Sequence, residues 1–147
     1  MRVTISIAND IGTTPTVDRR SNSVIDRAWA KAFANEWIDA WNSHDLDRIL
    51  SHYTEDFEMS SPLIVEWMGI PEGVLRGKRS IRPYWQRGLD ARPPLRFELR
   101  EVLVGVNTIV IYYRNTTRNR MVAEVLTLDA EGKVVAGAGV YGDPPAP

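Results

Sequence analysis

The sequence predicts an α+β fold, with helices packed on one face of a curved antiparallel sheet. Three observations lead there. Ile25, Trp29, Phe33, Trp37 and Trp41 recur every four residues in the first third, which is the spacing of one helix face. The last third divides into "LRFELREVLVGV", "TIVIYYRN", "RMVAEVLTLD" and "KVVAGAGVYG", rich in β-branched and aromatic residues. Their links, "GVN", "NTTRN" and "DAEG", are short enough to favour antiparallel neighbours. Helices precede strands instead of alternating with them, and such segregation is characteristic of α+β architecture.

The elements follow in order. Residues 1–20 hold a short alternating piece, "VTISI", and then a polar stretch. They read as a flexible N-terminal arm with one strand added to a neighbour. "SNSVIDRAWAKAFANEWIDAWNSHD" is helical, with Ser21 or Ser23 as cap. "NSHD" breaks it, and Asp45 caps a shorter helix, "LDRILSHY". "DFEMSSP" alternates as a strand and puts Phe57, Met59 and Ser61 on one face. "LIVEWMGIPEGVLRG" is punctuated by Gly and Pro and receives no assignment. "KRSIRPYWQRGLD" is a third helix with Ile81, Trp85 and Leu89 along one side, and Pro83 fits only near its first turn. After the four strands, the Pro-rich end reads as a disordered tail over 143–147, leaving 21–142 as the folded domain.

Composition narrows the function. A chain of 147 residues is long enough for one domain with a proper core. Its 18 basic and 19 acidic residues leave a net charge of -1, which argues against nucleic acid or an anionic membrane as partner. Without cysteine there is no disulfide, thiol nucleophile or thiolate metal site. The start lacks the apolar core of a secretory signal, and no run approaches the ~20 apolar residues of a membrane span. A cytoplasmic location is expected.

One residue stands out. In "RMVAEVLTLD", strand alternation puts Val122, Glu124, Leu126 and Leu128 on one face. A carboxylate in a row of aliphatics has two readings. It reaches solvent or pairs with Arg114 or Arg120, or it sits in an apolar site where it must be paired or protonated. A raised pKa would make it an acid or hydrogen-bond donor near neutral pH. His44 and His52 have no partner at metal-ligand spacing, so no metal is expected; His44 serves the connection between helices. "GAGVYG" sits inside a strand and not between strand and helix, so it is no nucleotide loop. Gly137, Gly139 and Gly142 allow curvature or leave space.

"WNSHDLDRILSHYTEDFEMSSP", "GKRSIRPYW" and "VAEVLTLDAEGKVVAGAGVYG", in this order and spacing, resemble the nuclear-transport-factor-2-like superfamily. Its SnoaL-like and ketosteroid-isomerase-like branch is the nearest in kind, and the likeness spans about Val24 to Gly142. It implies a cone-shaped sheet wrapped around about three N-terminal helices, a cystatin-like roll with an apolar pocket open at one end. It also implies a homodimer through the convex sheet face. Ser61, before Pro62, stands where the isomerases keep their general base, and Trp37 where they keep an oxyanion-hole tyrosine. Glu124 stands where they keep an oxyanion-hole acid held protonated by an apolar pocket. Two of three catalytic positions are changed, so a steroid isomerase mechanism is not expected. Register then gives Trp37, Phe57, Met59, Ser61, Trp85, Val122, Leu126 and Tyr141 as ligand-binding residues. Tyr113 joins them, or Tyr112 if the "NTTRN" parity is reversed. The expected ligand is a small apolar molecule. The expected chemistry is cofactor-independent proton transfer by Glu124, of isomerase, cyclase or hydrolase type, with Ser61 and Tyr113 orienting a substrate oxygen. The other reading is a non-catalytic dimeric binding or scaffold module.

Overall fold

A computed structural model describes residues 5–6, 16–17, 24–144 and 146. Most of the flexible arm expected over 1–20, and positions 145 and 147 of the disordered tail expected over 143–147, fall outside the described residues. Within the arm, β1 (Ile5–Ser6) pairs antiparallel with β2 (Thr16–Val17) in a separate two-stranded ladder, and is not added to the main sheet.

Helix α1 spans Arg27–Asn42. Its cap is Asp26, not a serine: the carboxylate accepts the Trp29 N–H at 2.8 Å, meeting one of the donors a helix start leaves open. Ala30, Phe33, Ala34, Trp37, Ile38, Ala40 and Trp41 are buried, a broad apolar stripe on one side. Beyond it, His44 takes φ 59 and its Nε2 lies 2.9 Å from the Leu95 carbonyl, which fixes the turn. Helix α2 (Leu46–Leu50) is capped by Asp45, which accepts the Arg48 N–H at 3.1 Å. It is shorter than expected, because the buried Tyr53 already opens strand β3 (Tyr53–Ser60).

The unassigned stretch folds into two elements. Ser61 caps helix α3 (Pro62–Met68) by accepting the Leu63 N–H, Pro62 occupies its first turn, and Gly69 closes it at φ 65. A turn then leads into strand β4 (Val74–Arg76). Helix α4 (Lys78–Asp90) buries Ile81, Tyr84, Trp85 and Leu89. Pro83 lies in its second turn, not its first. It is exposed, as is Arg79 four residues earlier, so the missing hydrogen bond falls on the solvent side.

The remaining strands are β5 (Phe97–Val104), β6 (Thr108–Asn115), β7 (Arg120–Leu128) and β8 (Val134–Tyr141). With β3 and β4 they form a curved, unclosed six-stranded sheet in the order β4-β3-β8-β7-β6-β5. All its neighbours run antiparallel except β3 and β8, which are parallel. Along β7, Val122, Glu124, Leu126 and Leu128 are buried while the alternate residues are only half-buried. The core beneath holds Trp37, Phe57, Ile49, Ile81, Ile109, Ile111 and Leu126, all fully enclosed. Burying each such side chain contributes about 1.5–3 kcal/mol. The wall that carries Glu124 is therefore stiff. No helix among the described residues is long and apolar enough to cross a membrane.

Candidate functional site

Between the helices and the concave face of the sheet lies a cavity of about 180 Å³. Strand β7 supplies Val122 and Glu124, β6 supplies Tyr113, and β8 supplies Tyr141. From the helices come Trp37 and Trp41 on α1, and Tyr84 and Trp85 on α4. Met59 and Phe97 complete the walls, and Glu66, Trp67, Asn115, Arg118 and Arg120 also line it.

Glu124 is only 6% exposed. Neither Arg114 nor Arg120 pairs with it. The Arg114 guanidinium bonds to Asn119, and Arg120 Nε donates to the Gly142 carbonyl at 2.9 Å. Among the described residues, the one hydrogen bond to the Glu124 carboxyl comes from the Tyr113 hydroxyl, at 3.2 Å to Oε1. Oε2 is buried without a partner. Burial therefore pushes the carboxyl up to about 8, and the Tyr113 hydrogen bond offsets this in part. Gly139 stands directly opposite on β8. A Cβ there would lie 3.3 Å from the Tyr141 hydroxyl, a tight approach, and 3.6 Å from Glu124 Oε1, an ordinary contact, so glycine leaves room for the Tyr141 ring.

Parity on β6 selects Tyr113: it pairs across from Val122 and is buried, whereas Tyr112 is exposed. Burial raises the phenols of Tyr113, Tyr53 and Tyr141 above their ordinary value and pushes Tyr84 up to about 12, so all four stay protonated donors. Trp37 turns its indole N–H to the Tyr53 hydroxyl at 2.9 Å. Its ring packs on Tyr113 and Phe97. Trp41 leaves its Nε1 buried and unpartnered. Among the described residues, three buried side-chain polar atoms lack a partner, and two of them belong to residues of this cavity.

Three expected ligand residues do not line the cavity. Phe57 is fully buried behind it, with its ring 4.5 Å from Tyr53 and 5.6 Å from Trp85. Leu126 lies deeper along β7, with no exposed surface. Ser61 is buried, and its hydroxyl is already engaged: it accepts from Leu63 N–H and from Tyr84 at 3.1 Å, and donates to Tyr141 at 3.5 Å. Trp37, Met59, Trp85, Tyr113, Val122, Glu124 and Tyr141 do border the space. Sequence reasoning missed Tyr84 and Trp41 as lining residues, each one position from a chosen residue or one turn beyond it, and Arg118 of the hairpin link; Arg120, read only as a partner for Glu124, lines the space instead.

No group of three or more His, Cys, Asp or Glu side chains that could hold a metal ion occurs among the described residues. His44 is committed to the Leu95 carbonyl and His52 lies 3.0 Å from Glu36.

A curved, open sheet folded over helices, with one cavity between them, defines an α+β roll with an internal pocket. The chain belongs to the SnoaL-like domain family, whose model matches residues 34–141. A SnoaL-like protein of unknown function from Burkholderia thailandensis is 45% identical, with 82% of this chain and 100% of that one covered and a TM-score of 0.78. An NTF2-like protein of unknown function from Burkholderia pseudomallei superposes with a TM-score of 0.63 at 14% identity, covering 77% and 90% of the two chains. TerC, co-crystallised with polyporic acid, does so with a TM-score of 0.62 at 16% identity, covering 77% and 92%. These last two likenesses establish the fold alone. No curated protein matches the chain.

Proposed function

We propose that the protein binds a small apolar molecule carrying an oxygen and transfers a proton at it without a cofactor, as isomerases, cyclases and hydrolases of this architecture do. Glu124 is the acid. One observation carries the reading: a carboxyl enclosed in an aromatic cavity, with a single phenol as partner and Oε2 unbonded. A protonated Oε2 would donate to a ligand oxygen, and the pKa near 8 keeps that proton available at neutral pH. Tyr113 holds the carboxyl in place, and Trp41 Nε1 offers a second donor to the same ligand.

A concrete test uses 1-tetralone, an apolar cyclic ketone, in deuterated buffer. Exchange at the carbon beside its carbonyl, followed by NMR, should run faster with the protein than without it and return to the buffer rate with Glu124→Gln. Equal rates for both proteins would remove Glu124 from the chemistry. A wild-type rate no better than buffer would favour a binding module. One observation supports that second reading: the other carboxylate lining the cavity is the exposed Glu66, so no second buried acid or base stands beside Glu124.

We also propose a homodimer through the convex sheet face. Cross-strand register puts Glu101, Tyr112, Ala123 and Val140 in one outward row, and Leu103, Val110, Val125 and Ala138 in the next. Leu103 and Val140 are 52% and 50% exposed, an apolar patch of the kind that marks an interface. Light scattering at micromolar concentration should give twice the chain mass, and Leu103→Glu should halve it. A wild-type monomer would end this proposal.

A further inference from the structure

The rim of the cavity has an electrostatic character that its floor lacks. Arg118, in the link between β6 and β7, and Arg120, at the start of β7, both line the space. The Arg118 guanidinium lies 5.9 Å from the centre of the Trp67 ring, and Arg87 lies 5.3 Å from that same ring. Arg120 sits 5.1 Å over the Tyr141 ring. Aromatic faces hold such groups in position without neutralising them. Among the described residues, the arginines within ion-pair distance of a carboxylate are Arg48, Arg76, Arg82 and Arg100. All four are elsewhere. Arg87 spends one nitrogen on the Trp67 carbonyl and Arg120 its Nε on Gly142, while the Arg118 guanidinium makes no hydrogen bond to a described residue. Against the two guanidinium groups that line the space stands one exposed lining carboxylate, Glu66.

We propose that the ligand is an organic anion, an apolar ring that bears a carboxylate besides the oxygen it presents to Glu124, whose ring fills the cavity toward Glu124 while its carboxylate is held at the rim by Arg118 and Arg120. This rests on the reading of the cavity as a ligand site. Guanidinium is the side chain suited to a carboxylate, since its fork of N–H donors matches the two oxygens. The orientation follows from charge. A ligand carboxylate at the floor would lose its hydration in an apolar enclosure with no cation to pair with it. At the rim it meets cations and keeps part of its hydration. The size is consistent with one or two fused rings, since an engineered apolar cavity of about 150 Å³ already takes benzene. Because Arg118 is exposed, the attraction is partly screened and weakens with salt.

The test compares 2-naphthoate with its uncharged methyl ester by quenching of tryptophan fluorescence. The wild type should bind the acid about tenfold more tightly than the ester, the margin set by one charge-assisted pair. That margin should shrink at high salt. It should nearly vanish in the double variant Arg118→Gln, Arg120→Gln, read as the ratio of acid to ester affinity within each protein. Equal binding of acid and ester by the wild type, or a margin that survives in the double variant, overturns the anion assignment and leaves the cavity reading standing. Failure of both probes to bind overturns the cavity reading, and the anion assignment with it.

Discussion

Glu36 and Glu124 are the same side chain in opposite surroundings. Glu36, on the outer side of α1, meets the Arg48 guanidinium at 2.6 Å and His52 at 3.0 Å, with its side chain 42% exposed. The Arg48 hydrogen bond, with His52 in support, holds its carboxyl below the usual range against a smaller opposing effect of burial. Glu124, on the inner side of β7, has one phenol and aliphatic neighbours. Burial moves it the other way, to about 8. What separates them is the supply of donors and water, not the residue. An acid with a guanidinium and an imidazole as partners stays an anion that staples α1 to α2. An acid denied them becomes a proton reservoir.

Replacing Glu124 by Gln should give the largest effect. Between pH 4.5 and about 8 the folded chain keeps a proton on Glu124 that the unfolded chain has released, so stability falls as pH rises through that window. The loss reaches the order of a few kcal/mol, at about 1.4 kcal/mol per pH unit. Urea unfolding of wild type and Glu124→Gln from pH 5 to pH 9 should show curves that diverge, with only the wild type declining. Parallel curves would mean that Glu124 titrates as an ordinary acid. Tyr113→Phe comes next. It strips the acid of its hydrogen bond and should cost about 1–3 kcal/mol. It should also move the Glu124 carboxyl resonance to titrate at still higher pH in carbon NMR, and an unmoved midpoint would show the bond to be idle. The smallest effect belongs to Arg48→Gln. Glu36 contributes stability above its unfolded pKa that disappears as pH falls through the depressed folded value. An exposed pair of this kind contributes less than about 1 kcal/mol. A larger loss at neutral pH would show the staple to be structural.

Much of this was legible in the chain. Alternation along β7 placed Glu124 among Val122, Leu126 and Leu128, and the four-residue recurrence through Trp37 marked the buried face of α1. Helix α3 was not read, although Ser61-Pro62 at its start and Gly69 at its end are ordinary stop and start signals. The reason is its sequence: "PLIVEWM" is apolar nearly throughout, and such a short run does not separate helix from strand by period. Nor could alternation tell Phe57 or Leu126, packed solid, from Met59 or Val122, which border empty space. Alternation reports which way a side chain points. What it meets depends on the elements opposite. The guanidinium groups at the rim escaped for the same reason, since Trp67 and Arg118 are distant in sequence and meet only after α3 and the β6–β7 link come together.

Ser61 deserves a last consequence. Its oxygen accepts the Leu63 N–H that starts α3, and it also joins the Tyr84 and Tyr141 hydroxyls in the cavity wall. Helix α3 in turn carries Leu63, Glu66 and Trp67 to the opening. One atom is thus the joint between wall and doorway, and the shape of the chamber and the width of its entrance are not independent dimensions of this protein.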